Sequence, residues 1–165
     1  MEDFRLQDMY YEHAGPDAGE PEQSIHPEYH FRLSARDMAR FGYLFLREGS
    51  WNGKQIVPRD WVKESTTSYS LTGGASRPAV AGYGYLWWVN AFDLPVKSYS
   101  AAGAPAKYIV VIPERDLVIV YQNHEPLPDA SARLSTEQIQ RLPAPTKAQL
   151  TKLVTMLVDA QRSGQ

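Results

Sequence analysis

Lys107-Tyr108-Ile109-Val110-Val111-Ile112-Pro113-Glu114-Arg115-Asp116-Leu117-Val118-Ile119-Val120-Tyr121 decides the fold class. Two apolar, β-branched runs flank a turn signal, Pro113 to Asp116. Strands over Ala106–Pro113 and Leu117–Asn123 are therefore predicted to pair antiparallel. Both runs are apolar at odd and even positions alike. Strands of that kind are buried on both faces and need cover on both sides.

Working outward, that cover comes from helices. Leu150, Leu153, Val154, Leu157 and Val158 recur at i, i+3, i+4, i+7 and i+8, the stripe of an amphipathic helix. Thr146 with Gln149 makes a capping box at its start. Upstream, Ser34 caps a helix predicted over 35–48, with Asp37 at the third helical position. Met38, Phe41, Leu44 and Phe45 form its apolar face, and Gly49 can end it. Asn52-Gly53 favours a type I′ turn. Pro58 suits the first residue of a second helix over 58–66, with Trp61 and Val62 on its apolar side. Residues 67–82, rich in Ser, Thr, Gly and Pro, are predicted to be loop. Two further strands are predicted, Tyr83–Asn90 and Val96–Ala102. In the first, alternation puts Tyr83, Tyr85 and Trp87 on one face, and Leu86 and Trp88 on the other. Residues 125–145 read as a Pro-rich linker with a short helical stretch near 135–141.

Composition narrows the function. A net charge of −2 gives no basic field for nucleic acid or anionic lipid, so neither nucleic acid nor a membrane is expected as a partner. The absence of cysteine removes thiolate nucleophiles and thiolate metal sites. No run approaches the length of a membrane-spanning helix. The first residues are polar, so no signal peptide is read here; the compartment stays open, cytoplasmic if Met1 is the true start. His26 and His30 have i, i+4 spacing, but Pro27 argues for a loop and no third ligand is evident. They read as surface or structural histidines; no metal and no cofactor is expected.

Two segments carry candidate chemistry. Gly82-Tyr83-Gly84-Tyr85-Leu86-Trp87-Trp88 is either a stacking platform or, the reading its glycines favour, a core strand that neighbours approach closely. Ser98-Tyr99-Ser100-Ala101-Ala102-Gly103-Ala104-Pro105-Ala106-Lys107 is rich in small residues. A substrate backbone can lie along such a strand, and the N–H groups near Gly103 and Ala104 are candidate donors to a developing oxyanion.

Together these segments resemble the serine β-lactamase-like family, which includes class C β-lactamases, penicillin-binding DD-peptidases and related esterases. Phe31 to Gly42 looks like its S-A-x-D-L-A-R-F helix. Gly49 to Ser65 is similar to its G-x-W-N-G-x-x-I-x-P-x-x-W-V segment, and Gly82 to Trp88 to its G-Y-G-Y-G-W-W strand. Residues 99–124 look like its active-site strand and the following hairpin. The resemblance implies an α+β fold: the C-terminal portion of the β-lactamase/DD-peptidase-like fold, with an antiparallel sheet of about three to four strands flanked by helices. It implies one domain over 1–165, with the match over about 1–124 and a linker and amphipathic helix over 125–165.

The family chemistry, as the resemblance implies it, is acylation of a serine in S-x-x-K, with a tyrosine in Y-x-N/S and a K-T-G-like third motif. No serine of this chain has lysine three residues on, so no catalytic residue is assigned. Tyr121-Gln122-Asn123 matches Y-x-N only by letters and falls in the wrong part of the order. Ala101-Ala102-Gly103 stands where K-T-G would, without its cation or hydroxyl. Pro105-Ala106-Lys107 falls where many relatives show Gly-Gly-Gln; Lys107 is a replacement donor or an edge charge on a strand. The substrate-binding candidates are thus Ala101, Ala102, Gly103, Ala104, Lys107 and Tyr85. The expected function is that of a serine hydrolase portion, cleaving an amide or ester, inactive alone. The alternative is a non-catalytic binding or oligomerisation module. The expected partners are a second copy or an N-terminal fragment completing the fold, and a small-molecule substrate only once the site is complete.

Overall fold

A computed structural model of the chain describes residues 10–13, 29–72, 81–103, 106–122 and 144–163. In chain order these form β1 (Tyr10–His13), β2 (Tyr29–Arg32), α1 (Ala35–Leu46), β3 (Ser50–Trp51), β4 (Lys54–Gln55) and α2 (Arg59–Ser65). Then follow β5 (Ser70–Thr72), β6 (Ala81–Tyr83), β7 (Trp88–Val89), β8 (Tyr99–Gly103), β9 (Lys107–Ile112), β10 (Leu117–Gln122) and α3 (Lys147–Ser163). The helical stretch expected near 135–141 lies outside the described residues, as does His26; His30 lies in β2 rather than on a helix.

Strands β5 to β10 form one antiparallel sheet in the order β10-β9-β8-β7-β6-β5, each strand beside its neighbour in sequence. β1–β2 and β3–β4 are separate two-stranded ribbons. The fold is α+β with an antiparallel sheet, as expected. β9 and β10 pair from Leu117↔Ile112 to Gln122↔Lys107, around a 3-10 turn at Pro113–Arg115. Their double-sided apolarity is used in full. On one face Ile109 and Val111 pack with Met38 and Phe45 of α1, flanked by Val118 and Val120. On the other, Val110, Ile112 and Ile119 pack with Leu150, Val154 and Val158 of α3 and with Phe92. The sheet is thus sandwiched between α1 and α3 over its β9–β10 half. α1 lies close: a Cβ on Gly42 would stand 2.7 Å from both Ile109 Cγ2 and Val118 Cγ1.

The predicted caps form. The Asp37 N–H donates to Ser34 Oγ at 3.1 Å, and Asp37, fully buried, pairs with Arg40 at 2.7 Å. Such pairing is what makes a buried carboxylate tolerable. Thr146 N–H donates to Gln149 Oε1 at 2.8 Å, and the Gln149 N–H returns to Thr146 Oγ1 at 3.3 Å. Asn52 and Gly53 take φ of 48° and 79°, turning β3 into β4 as a type I′ turn requires.

Four expectations need correction. α1 ends at Leu46 rather than 48, because Glu48 already takes a left-handed φ of 52° and Gly49 follows at 81°. The N–H groups of Glu48 and Gly49 fold back onto Phe45 O and Leu44 O, satisfying carbonyls that the helix end leaves open. Pro58 is the N-cap of α2 and not its first residue. In α2 Val62 and Ser65 turn inward; Trp61 is exposed. The largest departure is Tyr83–Asn90, which is not one strand. Tyr83 pairs with Trp88 and Gly84 N–H donates to Trp87 O, so Tyr85 and Leu86 are the two-residue tip of a β6–β7 hairpin. The chain reverses there, alternation breaks down, and Trp87 is buried while Tyr85 and Leu86 are exposed. That hairpin, with β5 formed inside the expected loop, raises the sheet to six strands.

Leu86 occupies the position where the family pattern has glycine, yet keeps a φ of 64°. A left-handed conformation strains a leucine, and its side chain, 81% exposed, returns little packing. Leu86→Gly is therefore expected to stabilise the fold by about 1 kcal/mol, a rise in Tm of about 2–4 °C. A thermal melt with unchanged or lower Tm would contradict the strained tip.

Candidate functional site

The small residues of β8 do more than permit pairing. β9 runs beside all of β8, from Tyr99↔Val111 to Gly103↔Lys107. β7 is shorter and reaches only Val89↔Tyr99 and Trp88↔Ser100. Beyond Ser100, the β7 side of Ala101, Ala102 and Gly103 therefore has no strand partner among the described residues. Ala102 and Gly103 are exposed and Ala101 half-buried. An extended polar backbone with no side-chain bulk is left open along a sheet, the geometry by which strands take up extended ligands.

The rest of β8 is anchored so that this edge is rigid. Trp87 packs on Phe45 at 4.7 Å, lies parallel to Phe41 at 6.2 Å, and meets Tyr99 edge-on at 5.1 Å. Burial, then the charge of Glu48, pushes the Tyr99 phenol well above its ordinary pKa, so it stays protonated across the physiological range. Ser98 and Ser100 point to the opposite, α3 side, and are buried. Asn90 fixes the entry to β8: its Oδ1 accepts from Ser98 N–H at 3.0 Å, and its N–H donates to Ser98 O at 2.8 Å.

Lys107 faces Gly103 directly across the β8–β9 pair, on the same sheet face as Ala101 and Tyr99. It opens a strand that has neighbours on both sides. Ala106, preceding it, is buried with a left-handed φ of 76°. Ala104 lies outside the described residues.

Tyr85 is brought to the same end of the sheet, since β7 runs antiparallel to β8 and the β6–β7 tip points along Ala101–Gly103. Its ring, however, is committed elsewhere. It stacks between Trp61 at 5.5 Å and Tyr69 at 5.1 Å, and its hydroxyl donates to Glu64 Oε1 at 3.4 Å. Partial desolvation, then the Glu64 charge, raises its phenol pKa. Ala101, Ala102, Gly103 and Lys107 are thus gathered at one place, and Tyr85 flanks it without its ring reaching over. Sequence reasoning missed this three-ring stack. The one local signal was the family glycine at position 86, which marks a turn and not a strand.

Gly84 seats this corner. A Cβ there would strike the carbonyl oxygens of Ser65 and Thr67, and Tyr85 N–H donates to Ser65 O at 2.9 Å. The glycine lets the hairpin tip lie against the end of α2.

Comparison with known proteins agrees with this architecture. The β-lactamase family model matches residues 2–141, past the 124 expected from motifs alone. An uncharacterized protein of Alkalihalophilus pseudofirmus is 33% identical over 100 residues, covering 53% of this chain and 28% of that protein. Among solved structures, a candidate 6-aminohexanoate-dimer hydrolase from Bacillus anthracis superposes with a TM-score of 0.56 at 22% identity. That likeness covers 82% of this chain and 30% of that one; at such identity it speaks for the fold. The chain spans less than a third of the length of either relative. With the family model matched over most of its length, the chain belongs to the β-lactamase family and carries that family's hydrolase fold.

Proposed function

We propose that this chain is the C-terminal part of a β-lactamase-family serine hydrolase, supplying one wall of an acyl-transfer site and inactive by itself. The observation that carries this is the open edge of Ala101–Gly103 with Lys107 beside it. It offers backbone donors and acceptors to a substrate acyl group but, among the described residues, places no activated nucleophile against them. Acyl transfer of this type needs a serine hydroxyl to attack the carbonyl while a nearby lysine takes its proton, and backbone N–H groups to hold the oxyanion that forms. The buried serines here do not fit the first role. Ser65 Oγ donates to Val62 O at 3.2 Å, and Ser98 and Ser100 are closed off from solvent.

The bond cleaved would be the amide or ester of a β-lactam, a peptide or a small ester. The structural relative is named as a 6-aminohexanoate-dimer hydrolase, which is compatible with a hydrolytic reaction. The serine would come from another polypeptide that carries S-x-x-K, such as an N-terminal fragment, and the substrate would bind only when the wall is completed. A non-catalytic binding module is the second reading, favoured by Ala101 and Ala102, which bring neither the cation nor the hydroxyl of K-T-G. The two separate on reconstitution. Mixing the chain with a segment bearing S-x-x-K from a full-length relative is expected to yield turnover of a chromogenic β-lactam or a p-nitrophenyl ester. A stable complex without turnover of either would favour the binding module.

A further inference from the structure

Resting on the reading that Ala101–Gly103 forms one wall of an acyl-transfer site, we infer that Asn90 is a positioning residue for that wall, a clamp that sets how far β8 overhangs β7. Asn90 directly follows β7 and Ser98 directly precedes β8. The Asn90 N–H donates to Ser98 O at 2.8 Å, and Asn90 Oδ1 accepts from Ser98 N–H at 3.0 Å. A hydrogen-bonded antiparallel pair would exchange two main-chain bonds at such a position. Here the Asn90 backbone takes a left-handed φ of 52°, and the side-chain oxygen stands in for the main-chain carbonyl. The strand can therefore end at Val89 while the ladder keeps one more rung. Asparagine suits both tasks, since it tolerates that conformation and carries an acceptor on a short arm.

The clamp matters because β8 has little else to fix its register against β7. Tyr99 is its one large side chain; Ser100, Ala101, Ala102 and Gly103 follow. Small side chains leave room for a substrate, but they specify register weakly. Two ladder pairs join β7 to β8, Val89↔Tyr99 and Trp88↔Ser100. The connection does not fix them either. A two-residue hairpin sets register by its turn, whereas Ala91 to Lys97 separate Asn90 from Ser98. On the other side, three residues join β8 to β9, too few to let that pair slip.

Backbone N–H groups two residues apart on a strand point the same way. The Ser98 N–H points at β7, so those of Ser100 and Ala102 point to that side too. Ser100 lies opposite Trp88, and Ala102 lies past the last pair, on the open stretch. A slip of two residues would bring Ala102 opposite Trp88 and close it off. A slip of one would turn Tyr99 and Ala101 to the α3 face. By holding Ser98, Asn90 places the donors and acceptors of the wall without touching them.

The test is NMR of the full chain, with amide hydrogen exchange, on Asn90→Gly and Asn90→Asp. Glycine keeps the left-handed backbone and removes the acceptor; aspartate keeps both. In Asn90→Gly the Ser98 and Ser100 amides should exchange about tenfold or more faster than in the unaltered chain. Val110 and Ile119, paired across β9–β10, should keep their rates. Val89 and Tyr99 form the closely spaced pair next to the clamp, so the Overhauser contact between their α-protons reads the register directly and should weaken by about half or more. Asn90→Asp should restore both signals. Unchanged exchange in Asn90→Gly, no restoration by Asn90→Asp, or an equal rise at Val110 and Ile119 would each overturn the clamp, the last by making Asn90 a contributor to global stability alone. If Asn90→Gly does not fold, the unaltered chain decides: a Ser98 amide as protected as that of Ser100 upholds the clamp, and one exchanging like an open loop overturns it. No nucleophile or substrate enters these measurements, so their failure leaves the hydrolase reading standing, and acylation chemistry tests that reading separately.

Discussion

Val154→Asp should abolish the cooperative unfolding transition of the chain or lower its Tm by well over 10 °C. Val154 is 2% exposed at the middle of α3, among Val110, Ile112, Ile119 and Phe92. Losing the valine forfeits about 1.5–3 kcal/mol of burial. An unpaired carboxylate in its place costs several kcal/mol more, either as a desolvated charge or as a shifted protonation equilibrium. The sum rivals the whole stability of an ordinary domain, about 5–15 kcal/mol. Lys152→Asp, at an exposed position on the same helix, should change stability by about 0.5 kcal/mol or less. Far-UV circular dichroism during heating distinguishes them. Equal melting of both variants would mean that α3 does not rest on the sheet.

Gly49→Ala should destabilise by about 2–5 kcal/mol, through left-handed strain of about 1–2 kcal/mol and a steric clash of about 1–3 kcal/mol. Gly49 is the last residue of the turn that closes α1, with φ of 81°. Its N–H donates to Leu44 O at 2.8 Å, and its carbonyl accepts from Ile56 and Val57 at 2.8 and 3.1 Å. A Cβ there would collide with the backbone carbonyl of Val57, which cannot swing aside as a side chain would. The first glycine of the G-x-W-N-G pattern is thus the joint that ties the end of α1 to the β3–β4 ribbon. Gly53→Ala is the comparison: it shares the left-handed φ of 79° but has nothing within 4 Å of a built Cβ, so it should cost only the strain. A urea titration that gave the two variants equal midpoints would contradict the close approach at Gly49.

What could be read from the sequence was local or periodic. The Ser34 cap, the Asn52-Gly53 turn and the Thr146–Gln149 box each depend on residues within a few positions of one another. The double-sided burial of β9 and β10 followed from strands apolar on both faces, and the stripe on α3 from its spacing. The hairpin at Tyr85–Leu86 was hidden because leucine stands at a left-handed position, so the residue that would have announced a turn was absent. β5 was hidden because three residues in a Ser/Thr/Gly-rich stretch owe their strand state to pairing with β6, not to composition. At the site, Ala101 to Gly103 and Lys107 were legible because β8 and β9 are joined by a short connection, which forces them together. The Tyr85 ring was not, since Trp61 and Tyr69 lie far off in sequence and reach it only through the sheet and α2.

The measurement that bears most directly on the account is intact-mass spectrometry of the purified chain after incubation with a penicillin, or with an activated short-chain ester. Without S-x-x-K the mass should remain that of the unmodified protein, and the same reagent should acylate a full-length relative run in parallel. A stoichometric mass increase on this chain alone, mapped to one serine and abolished by changing that serine to alanine, would show that it carries its own nucleophile and would contradict the account.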